Sequence, residues 1–390
     1  MRTLSWIASA ALLAAAPNTL TQKEIDEGWV SLFDGETMFG WYPQGPAKWS
    51  VENGALVTDG QGGLSWIRSG SQWADYVLKL EFRAAEKANS GVFLRSATVG
   101  EPHKTGYELQ IWVGNEKFPT GSLVGHASTK KGKFKGDVWN AYEVRAEGDH
   151  FVIKLNGKQV LDTHDGKSKI GHIGFQANGH KIEFRDVKIK PLGLQAIFNG
   201  KDLSGWHEVK TPRAKEPPVW SVKAGAIHVE KGPGQLETEK TWDDLVFQLA
   251  VKTNPKDANH HPNSGVFLRG VPNTFWSGYE TQIRNEYKDG DRTKAVDFGT
   301  GGVYHYQPAR KVMGTDGQYF VKTVVARGKH LATWINGYPV ADWDDPNPEG
   351  DAVVRNKQSK VAAGAISLQA HDPTTNLDFK NLRIAALPKQ

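Results

Sequence analysis

No cysteine occurs in the 390 residues, so the chain holds together without disulfides, and no lipid-carrying cysteine follows its leader-like start. Long apolar runs are missing too. After the first sixteen residues no segment approaches the ~20 apolar residues that a membrane-spanning helix needs. No block of one charge is present either: 48 Lys and Arg alternate with 43 Asp and Glu, for a net charge of +5. That spread argues against nucleic acid, whose binding asks for a clustered basic stripe. The one basic run, Lys130-Lys131-Gly132-Lys133-Phe134-Lys135, is isolated and holds a glycine, as a solvated loop does. G-x-S-x-G, P-loop, dinucleotide-binding and H-E-x-x-H patterns are absent. No long segment carries apolar residues at the helical period.

What is there begins with Met1–Ala16, "MRTLSWIASAALLAAA". An early arginine, a short apolar stretch and a run of alanines before Pro17 form the layout of a secretory signal peptide, and the apolar stretch is too short for an anchor. The expected location is periplasmic or secreted. The remaining chain is long enough for two cores, with 38% hydrophobic residues.

"NSGVFLR" stands at Asn89–Arg95 and again at Asn263–Arg269. The match extends well beyond it: "LFDG" (Leu32–Gly35) answers "IFNG" (Ile197–Gly200), "WSVENGAL" (Trp49–Leu56) answers "WSVKAGAI" (Trp220–Ile227), and "GYELQI" (Gly106–Ile111) answers "GYETQI" (Gly278–Ile283). "GHIGFQA" (Gly171–Ala177) answers "GAISLQA" (Gly364–Ala370), always in the same order. The spacing is that of a whole domain rather than of a solenoid repeat. Residues 24–192 and 193–390 therefore read as two copies of one unit, divided where Pro191 and Gly193 interrupt the strand pattern.

Within each copy the apolar residues alternate at period two over short runs, such as Val77–Phe82 and Phe151–Leu155, and Asn156-Gly157 is a hairpin turn signal. The expectation is an all-β chain of two tandem β-sandwich or jelly-roll domains. Alternation also sorts side chains by face. In "GVFLR" it sets Phe93 and Arg95 together, and in "GYELQI" it sets Glu108 beside Gln110. The second copy repeats this with Phe267, Arg269, Glu280 and Gln282 and adds Arg284. Gln176 and Gln369 come from a late strand, and Gly91 and Gly265 leave room beside the motif strand. Planar polar groups beside an aromatic ring suit sugar hydroxyls. The same arginines and glutamates also fit plain cross-strand ion pairs, although an exposed pair contributes only about 0–1 kcal/mol. Trp112 and Trp276 are expected at the rim, whereas Trp49, Trp73, Trp220 and Trp242 recur beside apolar runs as core residues do.

The ordered set "LFDG…GW", "NSGVFLR", "GYE.Q", "LNG" and "GFQANGHKIEFRDVKI" resembles the 3-keto-disaccharide hydrolase (3-keto-glucoside lyase/hydratase) family over both copies. The resemblance implies a concanavalin-A-like (laminin-G-like) sandwich acting on 3-keto-glycosides, or another carbohydrate, by β-elimination and hydration. It makes Glu108 and Glu280 candidate bases, Gln110 and Gln282 hydroxyl ligands, and Arg95 and Arg269 enolate stabilisers. His371 matches the family's closing histidine, where the first copy has Asn178 with His180 nearby. No cofactor is implied with certainty; a divalent metal could polarise the ketone, though no ligand set demands one. A non-catalytic carbohydrate-binding protein would use the same face. The resemblance does not rank the two copies.

Overall fold

The Asn156-Gly157 pair turns the chain as its chemistry dictates: both residues sit at positive φ, 50° and 77°, and join strands His150–Leu155 and Lys158–His164. Asn336 and Gly337 repeat the turn in the second copy at 51° and 73°. These hairpins belong to a computed structural model that describes residues 16–211, 214–346 and 362–389. Residues 1–15, which carry nearly all of the leader pattern, lie outside the described residues.

Each copy is a β-sandwich of one eight-stranded and one five-stranded sheet, and every ladder is antiparallel. The five-stranded sheet of the first copy runs in the order Trp41–Gln44, Ser65–Trp73, Gly171–Ala177, Ser90–Ser96 and Tyr107–Ile111. The second repeats it with Trp206–Val209, Gly234–Trp242, Gly364–Ala370, Ser264–Gly270 and Tyr279–Ile283. Two short helices, Gln22–Asp26 and Pro102–Thr105, complete the regular structure among the described residues. Pro191 ends the last long strand of the first sandwich, and Gln195 opens the first of the second.

Period-two alternation is visible in burial: along Asn140–Glu147 every second residue faces the core. Val92 and Leu94 enter the first core and Val266 and Leu268 the second, while Phe93 and Phe267 stand outside both core clusters on the opposite face of the five-stranded sheet. Trp49, Trp73 and Trp220 are buried as expected, and Trp242 packs against the second core from a partly exposed position.

The two sandwiches share one apolar seam. Val246, Val325, Ala332, Trp334 and Leu387 of the second copy belong to the first copy's core cluster. Trp334 meets Trp73 with ring centroids 5.6 Å apart, and its indole N–H donates to the Ser31 carbonyl at 2.8 Å. Arg310 pairs with Asp34 at 2.7 Å, and the Tyr42 hydroxyl donates to Asp342 at 2.6 Å. Removing a buried tryptophan from such a seam costs about 3–5 kcal/mol. Trp334→Ala is therefore expected to lower the urea midpoint markedly and to split one unfolding transition into two, as followed by tryptophan fluorescence.

Candidate functional site

The motif strand does not keep simple alternation to its end. Against strand Gly171–Ala177, Phe93 pairs with Gly174 but Ser96 pairs with His172, so two residues, Leu94 and Arg95, face the single residue Ile173. The same extra residue occurs in the second copy, where Phe267 pairs with Ser367 and Gly270 with Ala365. This is a β-bulge, and it re-aims the arginine within it. Arg95 and Arg269 sit in the left-handed region, at φ 52° and 56°.

Both arginines consequently leave the face that alternation predicted for them. Arg95 donates to the carbonyls of Ala74, Gly148 and Ser168 and pairs with Asp75 at 3.1 Å, over the rings of Tyr76 and Phe151. Arg269 donates to the carbonyls of Asp243 and Gly328 and pairs with Asp244 at 2.8 Å. Their side chains have no solvent exposure. The expected pairs Arg95–Glu108 and Arg269–Glu280 are thus corrected: each guanidinium locks loops on the core side, and neither joins the glutamate face.

The glutamates, amides and phenylalanines do share that face. Phe93 lies opposite Glu108, and Gly91 opposite Gln110; Phe267 and Gly265 hold the same register against Glu280 and Gln282. The space beside each glycine is filled by the glutamate rather than left open, since a Cβ on Gly91 or Gly265 would strike Glu108 or Glu280. In the first copy Gln176 donates to Glu108 at 2.9 Å. Burial pushes the Glu108 carboxyl from 4.5 up to about 7, with the Gln176 hydrogen bond acting in the opposite direction.

The copies differ in what surrounds this carboxylate. Trp66 pairs with Gln176 across the first five-stranded sheet, lies against Gly174 and meets Phe93 edge-on at 5.4 Å. Its counterpart in the second copy, opposite Gln369, is Gln235. There a narrow cleft with room for about one water is lined by Trp276, Glu280, Gln282 and Gln369, with His371, Tyr304 and His305 on its walls. The His371 Nδ1 lies 2.9 Å from Asp372, and Nε2 faces Asn263 at 3.4 Å. Asp372 is held well below the ordinary carboxylate range, chiefly by the hydrogen bond from His371. Trp276 stacks on Phe275 and on His371, 5.8 Å between centroids for the latter, and its amide donates to Gln235.

Three buried polar atoms here, Trp276 Nε1, Gln369 Oε1 and Asn263 Oδ1, have no partner among the described residues. An unmet buried polar group costs about 1–3 kcal/mol, and Gln176 Oε1 of the first copy is likewise unmet among the described residues. Backbone strain gathers in the same region: Trp276, Asp297, Phe298 and His305 all have positive φ, between 48° and 67°.

Other expected residues are placed less directly. The Gln282 amide is engaged by Asp297, donating to its carbonyl and carboxylate at 3.0 Å each. Gln110 accepts from the Ile111 amide. Arg284 pairs with Glu286 and does not line the pocket. Trp112, its counterpart in the first copy, lies against Gly114. His180 is exposed, its ring against the Asn178 carbonyl. The sequence reading missed Tyr304 and the pair Gln235–Glu237, in which buried Glu237 accepts from Gln235 and from the Asn273 amide and so ties down the loop carrying Trp276. Aligning the loops after "GYE.Q" would have exposed Tyr304, since Val124 and Tyr304 donate to the matching carbonyls of Glu108 and Glu280. Among the described residues no group of three or more His, Asp or Glu is arranged to hold a metal ion.

Two outcomes follow from this geometry. The folded chain retains a proton on Glu108 that the unfolded chain releases, so wild-type stability falls as pH rises from 4.5 to about 7, by on the order of 3 kcal/mol in all. Glu108→Gln removes that slope, as urea titrations at pH 5 and pH 8 will read. Next to Tyr304, His305 stands at φ 67° where the first copy has Gly125 beside Val124. His305→Gly should therefore raise stability by about 1 kcal/mol while weakening ligand binding, measured by thermal melting and calorimetry.

Comparison with known proteins identifies the family of both sandwiches. The family model for the 3-keto-alpha-glucoside-1,2-lyase-like domain matches residues 28–190 and 193–385. A curated relative from Bacteroides thetaiotaomicron, named 3-keto-disaccharide hydrolase, is 21% identical over 248 residues, covering 47% of this chain and 85% of the relative. A crystal structure from Parabacteroides distasonis, assigned provisionally to the glycosyl hydrolases, is 24% identical, with a TM-score of 0.42 over 45% of this chain and all of that one. The carbohydrate-binding module CBM66 of Bacillus subtilis is 21% identical, with a TM-score of 0.30 over 38% of this chain and 94% of the module. With both sandwiches matched along nearly their whole length, the chain belongs to the family of 3-keto-alpha-glucoside-1,2-lyase-like domains.

Proposed function

We propose that the protein cleaves 3-keto-glycosides at the second sandwich by β-elimination followed by hydration, with Glu280 as base and His371 as its acid–base partner. The observation that carries this reading is the convergence in one pocket of a buried carboxylate, a carboxylate-backed imidazole and two unmet polar atoms, Trp276 Nε1 and Gln369 Oε1. A ketone at C3 acidifies the proton on C2, so a carboxylate is a strong enough base to remove it. The electron pair passes to the ketone oxygen as an enolate and then forms the C1–C2 double bond as the C1–O bond breaks. His371, oriented by Asp372, delivers a proton to the departing oxygen. In the second half water adds to C1 and C2 is reprotonated, giving net hydrolysis without an oxocarbenium-like step.

The indole N–H of Trp276 and the Gln369 amide are suited to hold sugar hydroxyls or the enolate oxygen. Arg269 has no part in this assignment, because its donors are engaged on the core side. The first sandwich keeps the glutamate but has Trp66 across its face and Asn178 in place of the imidazole, which favours a supporting role. The Met1–Ala16 leader pattern supports action outside the cytoplasm, in the periplasm or beyond.

The test is release of 3-keto-glucose from 3-keto-trehalose and 3-keto-lactose. Glu280→Gln and His371→Ala are each expected to lower kcat by about 10²–10⁴-fold, whereas Glu108→Gln leaves turnover essentially unchanged. Loss in Glu108→Gln alone would move the site to the first copy. Binding without turnover in the wild type would replace the enzyme by a carbohydrate-binding protein.

A further inference from the structure

The duplicated halves diverge at a buried position directly beneath the glutamate strand. In the first sandwich Tyr142, 1% exposed, reaches across the core and donates its hydroxyl to the Gln110 carbonyl at 2.7 Å. The matching residue of the second is Lys322, on strand Phe320–Arg327, with no solvent exposure. Its ammonium donates to the carbonyls of Thr281 at 2.8 Å and Gln282 at 3.0 Å. Thr281 turns its own hydroxyl back to the Val266 carbonyl within the sandwich, so Lys322 approaches strand Tyr279–Ile283 from the core side. Glu280 and Gln282 project from the other side of the same strand, into the pocket.

A neutral tyrosine already bridges the layers in the first copy, so bridging alone does not call for a charge. Burying an ammonium is expensive unless a negative group compensates it. Burial brings the Lys322 ammonium down to about 7, and the attraction of Glu280 works against that fall. The other polar groups lining the pocket with Glu280 among the described residues are Gln282 on its own strand, Gln369 on the late strand Gly364–Ala370 and His371 just past its end, Tyr304 and His305 on the loop, and Trp276 at the rim. Asp297 stands behind Gln282, and Asp372 behind His371. Lys322 is the group that approaches from below.

We propose that Lys322 is a positioning residue for Glu280: it tethers the glutamate strand through two carbonyls and supplies the buried positive charge that keeps the carboxylate ionised and ready to accept a proton. The inference rests on Glu280 being the base. Glu108, by comparison, lies on a strand over the neutral Tyr142.

The experiment follows the Glu280 carboxyl by ¹³C NMR pH titration of the full chain without substrate, the resonance being assigned by its loss in Glu280→Gln. In both Lys322→Met and Lys322→Tyr the titration midpoint should rise by about one unit or more, and the acid limb of kcat/KM against pH should move with it, activity returning at higher pH. Lys322→Tyr installs a side chain that the first sandwich already accommodates in this place, and it guards against a variant that fails to fold. The reciprocal Tyr142→Lys should lower the Glu108 midpoint and leave turnover at the second copy as it was. An unmoved Glu280 midpoint in folded Lys322 variants, or a uniform loss of rate at every pH, overturns the proposal and leaves Lys322 a packing residue. A shifted midpoint in a protein that turns over no 3-keto-glycoside upholds the electrostatic coupling and fails the proposed reaction instead.

Discussion

A buried guanidinium within a β-bulge is the constraint on which each sandwich is built. Arg95 gathers the carbonyls of residues 74, 148 and 168 and the Asp75 carboxylate; Arg269 gathers those of residues 243 and 328 and Asp244. Charge-assisted hydrogen bonds of this kind tie distant loops to the motif strand, and removing one partner of a buried pair costs about 3–5 kcal/mol. Six of the seven repeated residues then have separate duties. The serine bonds the carbonyl of Gln176 or Gln369 at 2.7 Å in both copies, the glycine admits the glutamate, Val and Leu fill the core, Phe faces outward, and Arg fastens the loops. Little in the motif can change without loss of the frame, which is a physical reason for writing it twice.

With the frame held in common, the copies are free to differ on the outer face. Trp66 stands where Gln235 does, Val124 and Gly125 where Tyr304 and His305 do, and Asn178 where His371 does. Each change in the first copy removes a polar or titratable group from around the glutamate or covers it with a ring. Each counterpart in the second adds one, and at His305 this comes with positive φ. Such strain persists where the surrounding structure enforces it.

Much of this was legible in the residues alone. Period-two alternation located the core-facing strands, and the Asn-Gly pairs located hairpins, because both are local consequences of backbone geometry. Glu108 and Gln110, or Glu280 and Gln282, could be put on one face for the same reason. Arg95 and Arg269 could not, because a bulge is a count of residues against a partner strand, and the partner, Gly171–Ala177 or Gly364–Ala370, lies about eighty to a hundred positions further on. The covering role of Trp66 and the underlying role of Lys322 are likewise contacts between elements distant in sequence, where alternation is silent.

The seam between the sandwiches gives the first copy a structural role beneath the second copy's glutamate strand. Strand Phe320–Arg327 turns Lys322 and Val324 inward, toward the second core and the glutamate strand, and turns Thr323, Val325 and Arg327 outward. On that outer side Val325 joins the first core and Arg327 donates to Gln72. Gln248 donates both to Thr323 and to the Gly28 carbonyl, which links the two halves directly. The strand beneath the site is thus packed on both faces, with the first sandwich as the outer wall. A lone second copy would present Val325, Ala332 and Trp334 to water and lose the packing that presses Lys322 against the carbonyls of Thr281 and Gln282. Tandem duplication in this chain thereby supplies a rigid back to the glutamate strand of the second copy.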